Sequence, residues 1–285
     1  MGRVVRQQAH LRLKMFVFIV IVASISIVGV YMFASYTDSM AQNRNYLTLG
    51  FNHIFVLSPK GAEQERKVMV QQLRYQGIMP FGFFPALNFH DIDHPEDHEY
   101  WLGEEHWAPP PTSNRTLAAD ALADFRTHMN VINDVMRLQF GSALVLDDRV
   151  DLDLEIKQKM REMLEHIPDS WDILYLGHCG TPETKRPSGM HQSLFVGYQP
   201  GCSFAYAVSR QGAKRLKRIL DNIWPYPERD FASQLIELVR PKYLEAYVIE
   251  PPLVASIRAG NRLGTAQISG VLQKSTLSKL GLLRV

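Results

Sequence analysis

A chain of 285 residues that is 46% hydrophobic and 21% charged is too apolar to be disordered in bulk, and it is long enough for one large or two small domains. A formal net charge of +2 is too small to point to nucleic acid as a partner.

The first element sets the compartment. Arg3, Arg6, Arg12 and Lys14 precede Met15 to Ala34, an uncharged run rich in Val, Ile and Phe. At about 1.5 Å per residue that run crosses a hydrocarbon core roughly 30 Å thick, which predicts one transmembrane helix. A cleaved signal normally has an apolar region of only about 7 to 15 residues and a small-x-small cleavage site, and none is evident here. The basic flank then keeps residues 1–14 in the cytosol and sends residues 35–50 (a stem) and everything after them to the lumen, as in a single-pass type II protein. A span of this modest length favours the thinner membranes of the endoplasmic reticulum or Golgi. Asn114-Arg115-Thr116 is an N-glycosylation sequon beside Pro109, Pro110 and Pro111, which places it on an exposed loop.

Past the stem, His53 to Ser58 reads as a strand, Gly61 to Gln76 as a helix with Met69 and Leu73 on one side, and Met79 to Phe84 as a second strand. Pro85 to Ser113 has no clear period. Within it, His90, Asp93, His94 and His98 are residue types that suit a transition metal. Their spacing matches no zinc pattern and Pro95 breaks any helical face, so the stretch reads as a solvated loop. Leu117 to Phe140 has helical spacing. Ser142 to Leu146 is an unbroken apolar strand, suited to burial on both faces of a parallel sheet. A helix is predicted from about Leu152 to His166, with Asp151 and Asp153 as favourable charge in its first turn.

The strand Asp172 to Leu176 follows. Cys179 and Cys202 are the only cysteines, and in an oxidising lumen they read as a disulfide, with two buried thiols as the alternative. Then come the strand Ser203 to Val208, a helix from Ser209 through Ile223, a short helix near Phe231 to Val239, and the strand Tyr243 to Ile249. Gly260 to Val285 is basic, low in aromatics and reads as a loosely packed tail. Strands alternating with helices over residues 51–258 imply an α/β sandwich with a mostly parallel sheet, followed by a tail over 259–285. Ligands of such sheets bind at the carboxyl ends of the strands, which directs attention to Asp147 and Asp148.

Four stretches in this order, ALVLDDRV (143–150), SWDILYLGHCG (170–180), GCSFAYAVSRQGAKRL (201–216) and YLEAYVIEPPLV (243–254), resemble glycosyltransferase family 25, most of all its fungal members. FVLSPKGAEQER (55–66) and Thr127-His128 are similar to two further features of that family. The resemblance implies a GT-A-like nucleotide-sugar-binding fold. The implied reaction is inverting transfer of a hexose, galactose among the candidates, from a nucleotide-sugar donor such as a UDP-hexose to a glycan or glycoprotein acceptor. Asp230 matches the family's acidic residue and is the candidate base, although a helix N-cap accounts for it equally well. Tyr206 and Ser209 resemble positions near the donor, with a half-buried strand tyrosine and a helix cap as the plainer readings. Asp172 reads as structural.

In the resemblance the strand ends Glu-Asp-Asp, and its first and third residues associate with the metal. Asp147 and Asp148 match the first two positions, which makes Mn²⁺ a candidate cofactor. Arg149 in the third position puts that metal in question. Three readings stand open. The Arg149 guanidinium neutralises the donor diphosphate itself. Alternatively, Asp148, Asp151 or Asp153 substitutes as ligand. In the third, Arg149 pairs with a neighbouring aspartate in a catalytically inactive member that binds glycans or partner proteins.

Overall fold

The computed structural model describes residues 46–88, 115–179, 191–223, 230–257, 272 and 274–282, together with Val28. Among the described residues no helix is long and apolar enough to cross a membrane. The predicted span Met15 to Ala34 lies, Val28 excepted, outside them, as do Asn114 and the His90 to His98 loop. A compact unit begins at Leu47 and contains the whole of the main sheet.

In chain order the elements are β1 (His53–Pro59), α1 (Glu63–Tyr75), β2 (Gly82–Ala86), α2 (Arg115–Arg137), β3 (Ser142–Asp147), β4 (Val150–Leu152), α3 (Ile156–Leu164), β5 (Ile173–Gly177), β6 (Leu194–Val196), β7 (Ala205–Ser209), α4 (Arg210–Ile223), α5 (Phe231–Val239), β8 (Ala246–Ile249), β9 (Val254–Ser256) and α6 (Thr276–Lys279). One sheet of seven strands has the order β2-β1-β3-β7-β5-β8-β6, and β4 pairs with β9 in a separate ribbon. β2, β1, β3, β5 and β8 point one way while β7 and β6 oppose them, so the sheet is mostly parallel in direction.

The strand period of two divides the core into two layers. Phe55, Leu57, Val145, Tyr175 and Tyr206 pack with Phe125, Ile132, Leu216 and Phe231 from α2, α4 and α5. Ile54, Val56, Leu144, Leu146 and Leu174 pack on the opposite face with Met69 and Leu73 of α1 and Met160 and Met163 of α3. Since side chains two apart share a face, Asp147 leaves β3 on the α2 side, in line with Val145. Gly177 ends β5 where a Cβ would lie 2.4 Å from both the Val254 carbonyl oxygen and the Phe204 ring, so the chain crosses there only without a side chain.

Two expectations are corrected. The helix predicted from Leu152 starts at Ile156, because Val150 to Leu152 are a strand paired with Val254 to Ser256. Asp151 and Asp153 therefore carry no first-turn charge. Both are fully buried, and Asp151 accepts hydrogen bonds from the Ser275 hydroxyl and from the Leu277 amide at 3.0 Å. Residues 274–282 are consequently no loose tail: Thr276 and Leu277 are buried, and Gln76 donates to the Thr276 hydroxyl at 2.7 Å.

Candidate functional site

At the carboxyl end of β1 and β3 the sheet opens into a cleft of about 540 Å³. Its floor is Leu57, Asp147 and the segment Gly201 to Phe204 that enters β7. One wall is the stretch of α2 from Asp120 to His128, with Asp124 and Thr127 between them. The start of α5, with Asp230 and Ala232, forms another, and Ser256 closes the rim. This is the strand end at which a ligand is expected in an open α/β sheet.

The Asp147-Asp148 turn is held by the backbone. The Asp147 amide donates to Phe204 O at 2.8 Å and the Asp148 amide to Leu57 O at 3.0 Å, which fixes the main chain of both residues at the strand end. Asp147 lines the cleft, whereas Asp148 sits behind it, 3% exposed. Burial raises the Asp148 carboxyl to about 6, against the lowering effect of a hydrogen bond with Ser58. The adjoining Asp147 charge adds to the rise and Arg149 slightly offsets it. Asp148 Oδ2 is buried with no hydrogen-bond partner among the described residues. Ser58 is itself held by Arg66, whose Nη1 donates to the Ser58 hydroxyl at 3.2 Å and to Pro59 O at 3.1 Å.

Arg149 does not line the cleft. Its Nη2 donates to Glu65 Oε1 of α1 at 3.0 Å, on the far side of the sheet from α2. Its partner is thus a glutamate of α1, remote in sequence, and not a neighbouring aspartate. Asp151 and Asp153 are also absent from the cleft: Asp153 pairs with Lys159 at 3.0 Å and Asp151 with the C-terminal segment.

Among the described residues lining the cleft, four are aspartates, one is histidine and none is lysine or arginine. The four carboxylates favour positive charge in this cleft. A carboxylate pair with an unpartnered buried oxygen fits a small hard cation, which binds through one or two carboxylates and takes its other ligands from phosphate and water. Among the described residues no group of three or more His, Cys, Asp or Glu side chains is placed to hold a metal alone.

Asp230 is exposed at the N-cap of α5, where its Oδ1 accepts from the Ser233 amide at 2.8 Å. It thus caps a helix and faces the cleft, and the two readings of this residue are compatible. Tyr206 is fully buried beneath the lining, and its hydroxyl lies 3.0 Å from His128 Nδ1. Burial, with smaller contributions from Tyr175 and Asp124, pushes that hydroxyl well above its ordinary range, so it stays protonated. Ser209 is not with the others. It pairs with Ser142, the first residue of β3, about 16 Å of strand away from Asp147. There its hydroxyl donates to Trp171 O at 2.7 Å and accepts from the Gly212 amide at 2.9 Å, which is cap geometry. Asp172 is structural, fully buried and paired with Arg215 at 2.7 Å.

Cys179 and Cys202 form a disulfide with Cα atoms 5.3 Å apart. Cys202 and its neighbours line the cleft, so the bridge stiffens part of the floor.

Asp120 and Asp124 of the α2 wall were missed in the sequence. The available signal was Asp124-x-x-x-His128, an i,i+4 pair that shares one helix face.

No family model matches the chain. It is similar to procollagen galactosyltransferase 2 of Mus musculus, 22% identical over 175 residues that make up 59% of this chain and 28% of the relative. Procollagen galactosyltransferase 1 of Danio rerio is 20% identical over 177 residues, 60% of this chain and 29% of the relative. The glycosyltransferase 25 family member of Aedes aegypti is 21% identical over 186 residues. The chain thus spans under a third of the length of these relatives. Among solved structures, a glycosyltransferase involved in glycosylation of the major capsid of PBCV-1 superposes with a TM-score of 0.41 and 13% identity, over 77% of this chain and 98% of that one.

Proposed function

We propose that this chain is an inverting glycosyltransferase that moves a hexose, with galactose the first candidate, from a UDP-sugar to a glycan or glycoprotein acceptor. One observation carries the reading: Asp147 and Asp230, predicted as donor-side and acceptor-side carboxylates, line one cleft at the carboxyl end of the parallel strands. The similarity to two galactosyltransferases supports the choice of sugar.

In the mechanism, Asp147 and Asp148 would hold a divalent cation such as Mn²⁺, which supplies positive charge against the leaving diphosphate. The Asp147 and Asp148 amides, tied to Phe204 and Leu57, hold the main chain of that turn in place. Asp230 takes the proton of the acceptor hydroxyl as the acceptor oxygen bonds to the anomeric carbon. The bond from that carbon to the diphosphate oxygen breaks, and its electron pair leaves with the UDP. Attack from the side opposite the leaving group inverts the anomeric centre.

The proposed setting is a type II membrane protein of the Golgi or endoplasmic reticulum, anchored by Met15 to Ala34 and carrying a glycan at Asn114. Retention in the membrane pellet after alkaline extraction, with a mobility gain on deglycosylation, is expected; release into the soluble fraction would exclude the anchor. A second reading, a non-catalytic glycan- or partner-binding member, is favoured by Arg149, a cation paired to Glu65 where the resemblance calls for a carboxylate.

The deciding experiment incubates the full chain in detergent with a panel of UDP-hexoses and glycan acceptors, with and without Mn²⁺. UDP release that depends on both sugar and acceptor is expected. Nucleotide binding without turnover would leave the non-catalytic reading, and absence of nucleotide binding would defeat the transferase reading.

A further inference from the structure

We propose that Asp124 and His128 are positioning residues: together they seat Phe231 and so determine where the Asp230 carboxylate stands against the cleft. This rests on the reading of Asp230 as the acceptor-side base.

The first amides of a helix have no partner within it, and the start of α5 is satisfied by two carboxylates from different elements. Asp230 Oδ1 accepts from the Ser233 amide at 2.8 Å. Asp124 Oδ2, reaching across from α2, accepts from the Phe231 amide at 3.0 Å. The contact spans 107 residues of sequence and is made by the residue bonded directly to Asp230.

The Phe231 side chain is held as firmly as its amide. It is fully buried, and the His128 ring lies nearly parallel to it, with centroids 4.4 Å apart and planes 12° apart. Phe125 and Tyr206 contact the same ring at centroid distances of 6.2 and 5.7 Å. His128 is in turn fixed at both nitrogens: Nδ1 stands 3.0 Å from the Tyr206 hydroxyl, and Nε2 faces Asp124 Oδ1 at 3.6 Å. The imidazole thus stands between the tyrosine hydroxyl of β7 and a carboxylate of its own helix. Strand β7, helix α2 and the start of α5 are thereby joined through one imidazole.

This arrangement has no evident use as a ligand site of its own, because both imidazole nitrogens face protein groups. As a seat it has a clear one. Asp230 is exposed and is the residue at which α5 meets the cleft, so without the seat its backbone would follow any fraying of the first turn. A reacting group misplaced by about 1 Å loses up to roughly a hundredfold in rate.

The test uses the full chain with Asp124→Ala, His128→Gln and Asp230→Asn. Hydrogen exchange at the Phe231 amide is read against the Val145 amide in β3, a check on the overall fold. Exchange at Phe231 is expected to rise about tenfold or more in Asp124→Ala, which removes the acceptor of that amide, with Val145 unchanged. Unchanged exchange at Phe231 overturns the proposal, whether or not the protein transfers sugar. In kinetics, hydroxyl acceptors are compared with azide, a nucleophile with no proton to give up. Asp124→Ala and His128→Gln are expected to lower kcat for hydroxyl acceptors by about tenfold to a hundredfold while azide transfer falls much less. Parallel loss of both transfers would mark general damage and overturn the positioning role. Full hydroxyl transfer in Asp230→Asn would instead defeat the base assignment, and the exchange measurement would still decide the seat.

Discussion

Arg149 Nη2 and Glu65 Oε1 lie 3.0 Å apart, so the guanidinium that stands in the acidic turn is drawn to α1 and away from the cleft lined by Asp147. The Arg149 side chain is 47% exposed and the pair is open to solvent, which limits its contribution to stability to about 1 kcal/mol or less. Arg149→Ala is therefore expected to leave nucleotide affinity within about threefold and unfolding free energy within about 1 kcal/mol. Arg149→Asp should likewise leave Mn²⁺-dependent nucleotide binding within about threefold, because position 149 faces Glu65 of α1 and lies outside the cleft lined by Asp147. Titration calorimetry with and without Mn²⁺ decides. A loss of affinity above about tenfold in Arg149→Ala would return the guanidinium to the diphosphate, as a charge-assisted contact is worth roughly 1.5 to 3 kcal/mol.

The disulfide gives a prediction in which stability and binding move together. Cys179 and Cys202 are 23 residues apart, and closing a loop of that length restricts the unfolded chain by about 3 kcal/mol. Because Gly201 to Phe204 form the cleft floor, reduction should lower both the denaturation midpoint and nucleotide affinity. Thiol labelling of the denatured, non-reduced protein should find no free thiol. Labelling of both cysteines would rule the bridge out.

Much of the sheet was legible because β1, β3 and β5 are short, unbroken apolar runs, and such runs are buried strands whatever their neighbours. The strand end at Asp147 followed from the same logic, and the site was expected where the cleft lies. Elements defined by distant partners were not legible. Val150 to Leu152 become a strand only because Val254 to Ser256, about a hundred residues on, lie beside them, and the acids there imitate a helix start. Residues 274–282 looked like a polar tail because the groups that bury them, Asp151 and Gln76, are remote in sequence. Ser209 was misplaced for another reason: a sequence motif records order along β7 but not that β7 runs antiparallel to β3. Asp124 was overlooked because a helix face carrying Leu122, Phe125 and Met129 reads as core spacing, and its polar edge is noticed only once a cleft is seen.

Asp148 makes stability depend on pH in a definite direction. An unfolded aspartate titrates near 3.9, and burial raises the folded carboxyl to about 6. Between those values the folded state holds the extra proton, so the contribution is fully present below about pH 4 and is lost as pH rises through 6. Asp148→Asn cannot ionise and should therefore be more stable than the parent at pH 8, by on the order of 2 kcal/mol, with no such gain at pH 4. Chemical denaturation at both pH values with a chelator present checks this. An equal effect at the two pH values would show that ionisation is not the cause.

The C-terminal segment offers the sharpest contrast between a tail and a structural element. Asp151 is fully buried and accepts from the Ser275 hydroxyl and the Leu277 amide; Asp153, equally buried, accepts from the Lys274 amide at 3.4 Å and pairs with Lys159. Removing the Asp151 carboxylate leaves two donors without their acceptor and releases the segment that covers β4. Asp151→Ala is expected to cost about 2 to 4 kcal/mol, since a buried donor stripped of a charged partner bears its full desolvation penalty. Deleting Lys274 to Val285 should cost at least as much, because Thr276 and Leu277 are buried with it. The two changes act on one contact, so combining them should add little beyond the deletion alone. Denaturation of the three variants measures this. If the deletion leaves stability unchanged while Asp151→Ala lowers it, the carboxylate acts within β4 and β9, and residues 274–282 do not hold that ribbon in place.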